Sequence, residues 1–312
     1  MRELLILGGT DISLVVADAA LAAGVSLRGI VHVGQEFAIS YDSKPVASSR
    51  FADVAGWCAQ RNIREVLFSS YEQAFERLGV TGEEICLAAG WYHMAPRSVR
   101  ARFGGRTLGL HSSLLPKLRG GAPLNWAILS GMNETGVSLF ALDDGVDDGP
   151  VYAQVAIPID ERETISGLVA KSAAACRTLI EQNIGAIIDG SLQPRPQLGE
   201  ASYCLQRKPE DGRIDWTRSN HEIDRLIRAV GRPYPGAGTV LDGEPLTLWA
   251  ALPLHDAPLV LGAPGQLVRL PGVAEPCVVT GRGLLAIVEA TGSDDSNALP
   301  LLLKSGQRRF AC

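Results

Sequence analysis

Residues 4–11 read LLILGGTD, and the fold class is decided by how that stretch is read. Four apolar residues in a row, Leu4 to Leu7, closed by Gly8 and Gly9, describe a buried strand ending in a tight turn. Thr10 or Asp11 is then placed to cap a helix whose apolar face is Leu14, Ala17, Ala20 and Leu21. The unit recurs downstream: strands are expected at 26–33, 65–69 and 84–91, and helices at 52–61 and 71–78. Such alternation predicts an α/β, Rossmann-like domain with a mainly parallel sheet covered on both faces. The Gly8-Gly9 turn lacks the third glycine and the downstream acidic residue of a dinucleotide fingerprint, so it is read as a turn alone.

Further short strands follow at 106–112, 136–142 and 151–159, and then the longest helix, 164–190. In that helix Ile165, Leu168, Val169, Ser172, Cys176, Leu179, Ile180, Ile184 and Ile187 recur at three- and four-residue steps, and Gly190 stops it. Residues 191–201, SLQPRPQLGEA, carry two prolines and no periodicity and read as a linker. Beyond it come a helix at 220–230 capped by Asn220 and short strands at 238–241, 246–252, 265–270, 277–280 and 283–289. These make a smaller β-rich, barrel-like domain of OB type. The expected domains are therefore 1–195, catalytic, and 196–312, β-rich.

With 46% hydrophobic and 20% charged residues over 312 positions, the chain can bury a sizeable core. The net charge of −5 resides entirely in residues 1–200, and the remainder is balanced. That argues against a strongly basic nucleic-acid binder. No apolar run reaches the roughly 18 residues of a membrane span, nor does the N-terminus read as a signal peptide, so a soluble cytoplasmic protein is expected. Cys58, Cys86, Cys176, Cys204, Cys277 and Cys312 are scattered, with no paired spacing, and point to reduced thiols rather than to a metal site.

Three clusters sit where strands end, the edge at which open α/β sheets bind ligands. Residues 109–126 read GLHSSLLPKLRGGAPLNW. A strand ends there in His111, Lys117 and Arg119 follow in a Pro- and Gly-rich loop, and Asn125 opens a helix. Such a His is either a proton donor beside an anion-binding loop or a loop residue that caps backbone groups. The second cluster is Asp143, Asp144, Gly145, Val146, Asp147 and Asp148, four carboxylates in six residues. Its spacing does not match a calcium loop. It is either a solvated acidic loop or the source of one carboxylate aimed at His111. The third cluster, Trp91, Tyr92, His93, Met94 and Ala95, either lines a slot for a flat ligand or is core.

In this order the three clusters resemble the formyltransferase family that uses 10-formyltetrahydrofolate. The stretch from His111 to Pro116 is similar to its H-x-S-L-L-P signature, Gly145 to Gly149 to its G-[LV]-D-x-G loop, and Thr135 to Ser138 to its T-G-V-[ST] strand. The segment from Arg119 to Trp126 looks closest to the sugar N-formyltransferases. The tRNA-directed branch, which acts on methionyl-tRNA, typically carries a basic loop near position 40, but residues 35–50 here hold only Lys44 and Arg50 against Glu36 and Asp42.

The resemblance implies formyl transfer from 10-formyltetrahydrofolate as co-substrate, with no metal, to a small amine, foremost an amino-sugar nucleotide. Nucleic acid and membrane are not expected as partners, and a homodimer is left open. His111 would stabilise the developing oxyanion and Asp147 would hold His111 charged. The pterin would lie between Tyr92, His93, Met94 and Ala95 on one side and Asp143, Asp144, Gly145, Val146 and Asp147 on the other. Lys117, Arg119 and Asn125 are candidates for the acceptor side. One position departs from the family pattern: N-x-H reads Gly109-Leu110-His111, so the side-chain amide is missing. Three readings follow. Another donor, such as Asn125, Ser112 or His93, fills the gap. Alternatively, the space at Gly109 admits a bulkier group and a different one-carbon or acyl transfer. Or the site binds folate without turnover. On the first reading Gly109→Asn is expected to raise the rate.

Overall fold

Every side chain of β1 (Leu4–Leu7) is fully buried, as a strand at the centre of a covered sheet requires. The computed structural model describes residues 2–39, 45–305 and 308–311. After β1 come α1 (Asp11–Ala22), β2 (Leu27–His32), a short ribbon of β3 (Glu36–Phe37) and β4 (Val46–Ala47), α2 (Val54–Arg61), β5 (Glu65–Leu67) and α3 (Tyr71–Leu78). They are followed by β6 (Ile85–Ala88), α4 (Arg97–Arg102), β7 (Thr107–His111), β8 (Arg119–Gly120), α5 (Pro123–Leu129), β9 (Glu134–Ala141), β10 (Val151–Pro158) and α6 (Ile165–Asp189). The second half has β11 (Tyr203–Cys204), α7 (Asn220–Val230), β12 (Ala237–Leu241), β13 (Glu244–Leu254), β14 (Leu267–Val268), β15 (Cys277–Val279), β16 (Leu284–Gly292) and α8 (Leu299–Lys304).

The main sheet has seven strands in the order β10-β9-β7-β6-β1-β2-β5. Its five strands from β7 to β5 run parallel, while β9 is antiparallel to both β7 and β10. On one face Leu5 and Leu7 pack with Phe75, Leu78, Val99 and Phe103 from α3 and the α4 region. Leu4 and Ile6 point to the opposite face by strand alternation and are equally buried. Gly8 is forced by close approach: a Cβ there would lie 2.2 Å from Ser13 Oγ and 2.3 Å from the Ala89 carbonyl. Ser13 accepts from the Thr10 amide and donates to Ala89, which ties the first turn of α1 to the end of β6.

Contacts divide the chain into two compact units, 1–123 with 134–158 and 169–204, and 124–133 with 159–168 and 205–312. In the second unit five antiparallel strands run β12-β13-β16-β15-β14. The chain's last residues sew the two edges of this sheet together: Phe310 bridges Leu241 of β12, and Arg309 bridges Gln266, next to β14. The helix α7 is capped by Ser219, not by Asn220. The Ser219 hydroxyl accepts from the Glu222 amide while the Glu222 carboxylate accepts from the Ser219 amide. Asn220 instead donates its side-chain amide to the Leu284 carbonyl. Cys58, Cys86, Cys176, Cys204 and Cys277 are buried free thiols. Among the described residues no helix is long and apolar enough to cross a membrane.

Candidate active site

His111 is the last residue of β7, where the antiparallel register sets it opposite Ser138 of β9. The imidazole is buried between two oxygens: Nε2 lies 2.7 Å from the Leu118 carbonyl, and Nδ1 lies 3.4 Å from Asp147 Oδ2. A carbonyl only accepts, so Nε2 carries a hydrogen, and a carboxylate faces the other nitrogen. Ser138 shapes the loop after His111. Its hydroxyl donates to the Ser113 carbonyl at 2.6 Å and accepts from the Leu115 amide, and Gln154 donates to Leu115 and to the same hydroxyl.

Asp147 is held from several sides. Its backbone is left-handed, with φ of 48°, a conformation an Asp tolerates better than most residues. The Gly120 amide of β8 donates to Oδ2 at 2.8 Å. Gln197 donates its amide hydrogens to the carbonyls of Asp147 and Gly149, both at 2.8 Å. On its other side the Gln197 oxygen accepts twice from Arg119, through Nε and Nη2. That environment fixes the amide's orientation, since a flipped amide would set NH2 against guanidinium and oxygen against carbonyls. Gly149 has no room for a Cβ, which would lie 1.9 Å from the Ala141 carbonyl. The second glycine of the G-x-D-x-G loop therefore permits close contact with β9.

The segment 191–201, expected as a linker, is part of the site's support. Arg195 bridges Val151, Gln197 joins Arg119 to the Asp147 loop, and β11 pairs in parallel with β8. Arg119 also donates to the Tyr203 hydroxyl and lies over that ring, so its guanidinium is engaged on two sides. Lys117 is exposed. Asn125 is buried in the second unit, and its amide donates to the Ala229 carbonyl at 2.7 Å. It is thereby occupied as a structural donor rather than free to replace the missing amide. The Ser112 hydroxyl sits 3.3 Å from that of Ser172.

The space beside Gly109 is filled. Gly109 pairs directly with Phe140 of β9, so the two share a face with His111 and Ser138. A Cβ on Gly109 would lie 2.7 Å from Leu142 Cδ2 and 2.9 Å from Phe140 Cε1. The position where the family pattern carries an amide is thus flanked by the apolar side chains of Leu142 and Phe140.

The two loops that the resemblance assigns to the pterin carry exposed apolar side chains, Met94 at 64% and Val146 at 51% exposure. Tyr71 steadies the first loop by accepting from Trp91 Nε1 and donating to the Met94 carbonyl, both at 2.9 Å. Tyr92 meets Ser48 and packs on Phe37. His93 is set among Phe37, Phe68 and Trp91, and burial pushes its pKa down. Its Nε2 is buried without a hydrogen-bond partner. Ala95 accepts from Arg100, which also reaches Asp143 and Asp144. Among the described residues no His, Cys, Asp and Glu cluster could hold a metal. Sequence reading missed Tyr71, Arg100, Ser138 and Gln197 as site residues; only Ser138 had a signal, through its T-G-V-S context.

A mainly parallel sheet with a His–Asp pair at the carboxyl end of β7, and a separate β-rich unit, define an α/β protein of two units. Residues 40–183 match the model of the formyl transferase family, and residues 207–298 match the model of the formyl transferase C-terminal domain. The chain is 36% identical over 210 residues to methionyl-tRNA formyltransferase of Sorangium cellulosum, covering 67% of each. It superposes with TM-score 0.65 and 19% identity on an N-formyltransferase of Helicobacter canadensis in complex with folinic acid and dTDP-3-aminofucose, over 92% of this chain and 99% of that one. HypX of Aquifex aeolicus with tetrahydrofolic acid superposes with TM-score 0.65 and 18% identity, over 97% of this chain and 48% of that one. The chain belongs to the formyl transferase family.

Proposed function

We propose that this formyl transferase carries the formyl group of 10-formyltetrahydrofolate to the primary amine of a small acceptor, foremost an amino-sugar nucleotide. The observation that carries the reading is the His111–Asp147 pair, with Asp147 locked by Gly120 and Gln197. The acceptor amine attacks the formyl carbon, a C–N bond forms and the carbonyl oxygen becomes an oxyanion. As the resemblance implies, His111, facing Asp147 at 3.4 Å, stabilises that oxygen. Asp147 takes the amine's proton through water. The bond from the formyl carbon to N10 then breaks, N10 takes up a proton and tetrahydrofolate leaves. Gly109 removes one oxyanion donor, a loss of about 100- to 1,000-fold elsewhere, so His111 bears more of the stabilisation in this enzyme.

The small-acceptor reading is supported by charge. Arg50, one of two cations in residues 35–50, is ion-paired to Asp11 at 2.8 Å, and the 201–312 region is electrically neutral. Lys44, the other, lies outside the described residues. A second reading, methionyl-tRNA as acceptor, is favoured by the 36% identity to the Sorangium enzyme. The test is tetrahydrofolate release by pure protein given 10-formyltetrahydrofolate with either a panel of amino-sugar nucleotides or charged initiator tRNA. Turnover with a sugar nucleotide is expected. Turnover with tRNA alone, and salt-sensitive tRNA binding, establishes the second reading. Folate binding with no turnover on any acceptor rejects both in favour of a binding module.

A further inference from the structure

Arg100, on α4, stands between the two loops assigned to the pterin. Its side chain is only 14% exposed. Its Nε donates to the Ala95 carbonyl at 3.3 Å, Nη2 donates to Asp144 Oδ1, and Nη1 lies 3.7 Å from Asp143 Oδ1. One guanidinium therefore touches the last residue of the 92–95 loop and the first two of the 143–147 loop. The fork is planar and rigid, so it sets a spacing between its partners as well as attracting them. The pairing is asymmetric. The guanidinium is largely shielded, whereas the carboxylates of Asp143 and Asp144 are 63% and 66% exposed. The arginine is the fixed half of the contact, and the acidic loop is the half that can release into water. Of the other arginines nearby, Arg102 holds the Val80 carbonyl and Arg106 the Gly82 carbonyl, while Arg97 adds a weaker electrostatic pull on Asp144.

We propose that Arg100 is a clasp that sets the width of the donor slot, holding the 92–95 and 143–147 loops at the separation a flat pterin needs. It is a positioning residue, acting through the Ala95 carbonyl of one loop and the Asp143 and Asp144 carboxylates of the other. The inference rests on the reading of these loops as the donor slot. The hydrogen bond and charge of Arg100 hold the Asp144 carboxyl below its ordinary range, so the contact is formed at neutral pH.

The experiment is calorimetric titration of the full chain with folinic acid, a stable formylated folate. Failure of the wild-type protein to bind overturns the donor-slot reading itself, before any variant is made. Given wild-type binding, Arg100→Ala is expected to raise Kd about fivefold, the scale of a partly exposed charge pair. Raising salt to about 0.5 M should weaken wild-type binding and leave Arg100→Ala nearly unchanged, because the screened contact is already gone. The charge exchange Arg100→Asp with Asp144→Arg should recover part of the loss, which a purely structural arginine would not permit. Equal Kd in wild type and Arg100→Ala, or no rescue by the exchange, overturns the clasp. Should Arg100→Ala fail to fold, Asp144→Asn breaks the same contact from its exposed side and must weaken binding in the same direction.

Discussion

A side chain at position 109 meets Phe140, in β9, and Leu142, just after it, and both must move to admit an amide. Gly109→Asn alone is therefore expected to lower both stability and rate, the reverse of what the missing amide by itself suggests. The double variant Gly109→Asn with Phe140→Ala makes room for the amide, and its kcat should exceed that of the single variant by up to about 100-fold. Initial rates and urea midpoints of the three proteins check this, and a faster single variant would show that the wall yields. His111→Ala is expected to lower kcat at least about 100-fold with little change in folinic acid affinity, since the ring acts on the reacting oxygen rather than on the pterin. That His111 and Asp147 lie together, 3.4 Å apart, was expected from the resemblance of their two motifs to the family's. The filled space was not, because it exists only once β9 lies in register against β7.

The strands and helices of the main sheet were legible from apolar periodicity to within a few residues at their ends. The 191–201 segment was not, because its role rests on one polar side chain meeting backbone carbonyls, which leaves no period to read. Gln197→Leu keeps the volume and removes the amide, so it frees both Arg119 and the carbonyls of Asp147 and Gly149. It should lower kcat about tenfold or more while Tm shifts only slightly, and an unchanged kcat would mean that Gln197 does no more than tether the loop. At the turn before β6, burial raises the pKa of Glu84, but the amides and hydroxyl around it, including those of Thr81 and Gly82, lower it further, for a net depression. A depressed carboxylate stabilises the fold above its ordinary pKa and loses that contribution as pH falls through the lower folded value. Glu84→Gln should therefore be less stable than wild type at pH 7, with the gap in urea midpoint closing as the solution is acidified.

At the scale of the molecule, the second unit owes its closure to four residues. The amide of Phe310 donates to Gly265, that of Leu267 to the Arg308 carbonyl and that of Ala311 to Val240, while the Phe310 ring stacks on Trp216 with centroids 4.9 Å apart. Both rings are fully buried. Phe310→Ala should cost about 3–5 kcal/mol by the usual scale for a buried aromatic, read as a drop in the thermal midpoint of this unit. The β-rich character of the region was legible from short alternating runs, whereas its closure was not, since the strap is too short and too polar at 308–309 to look like a strand. The strap also guards against self-association. Removing residues 308–312 would bare the backbone of β12 and of the segment leading into β14, two unpaired edges on one small body. The shortened chain is then expected to fail by stacking into insoluble material through those edges, so that its yield in the soluble fraction, more than its turnover, reports the loss.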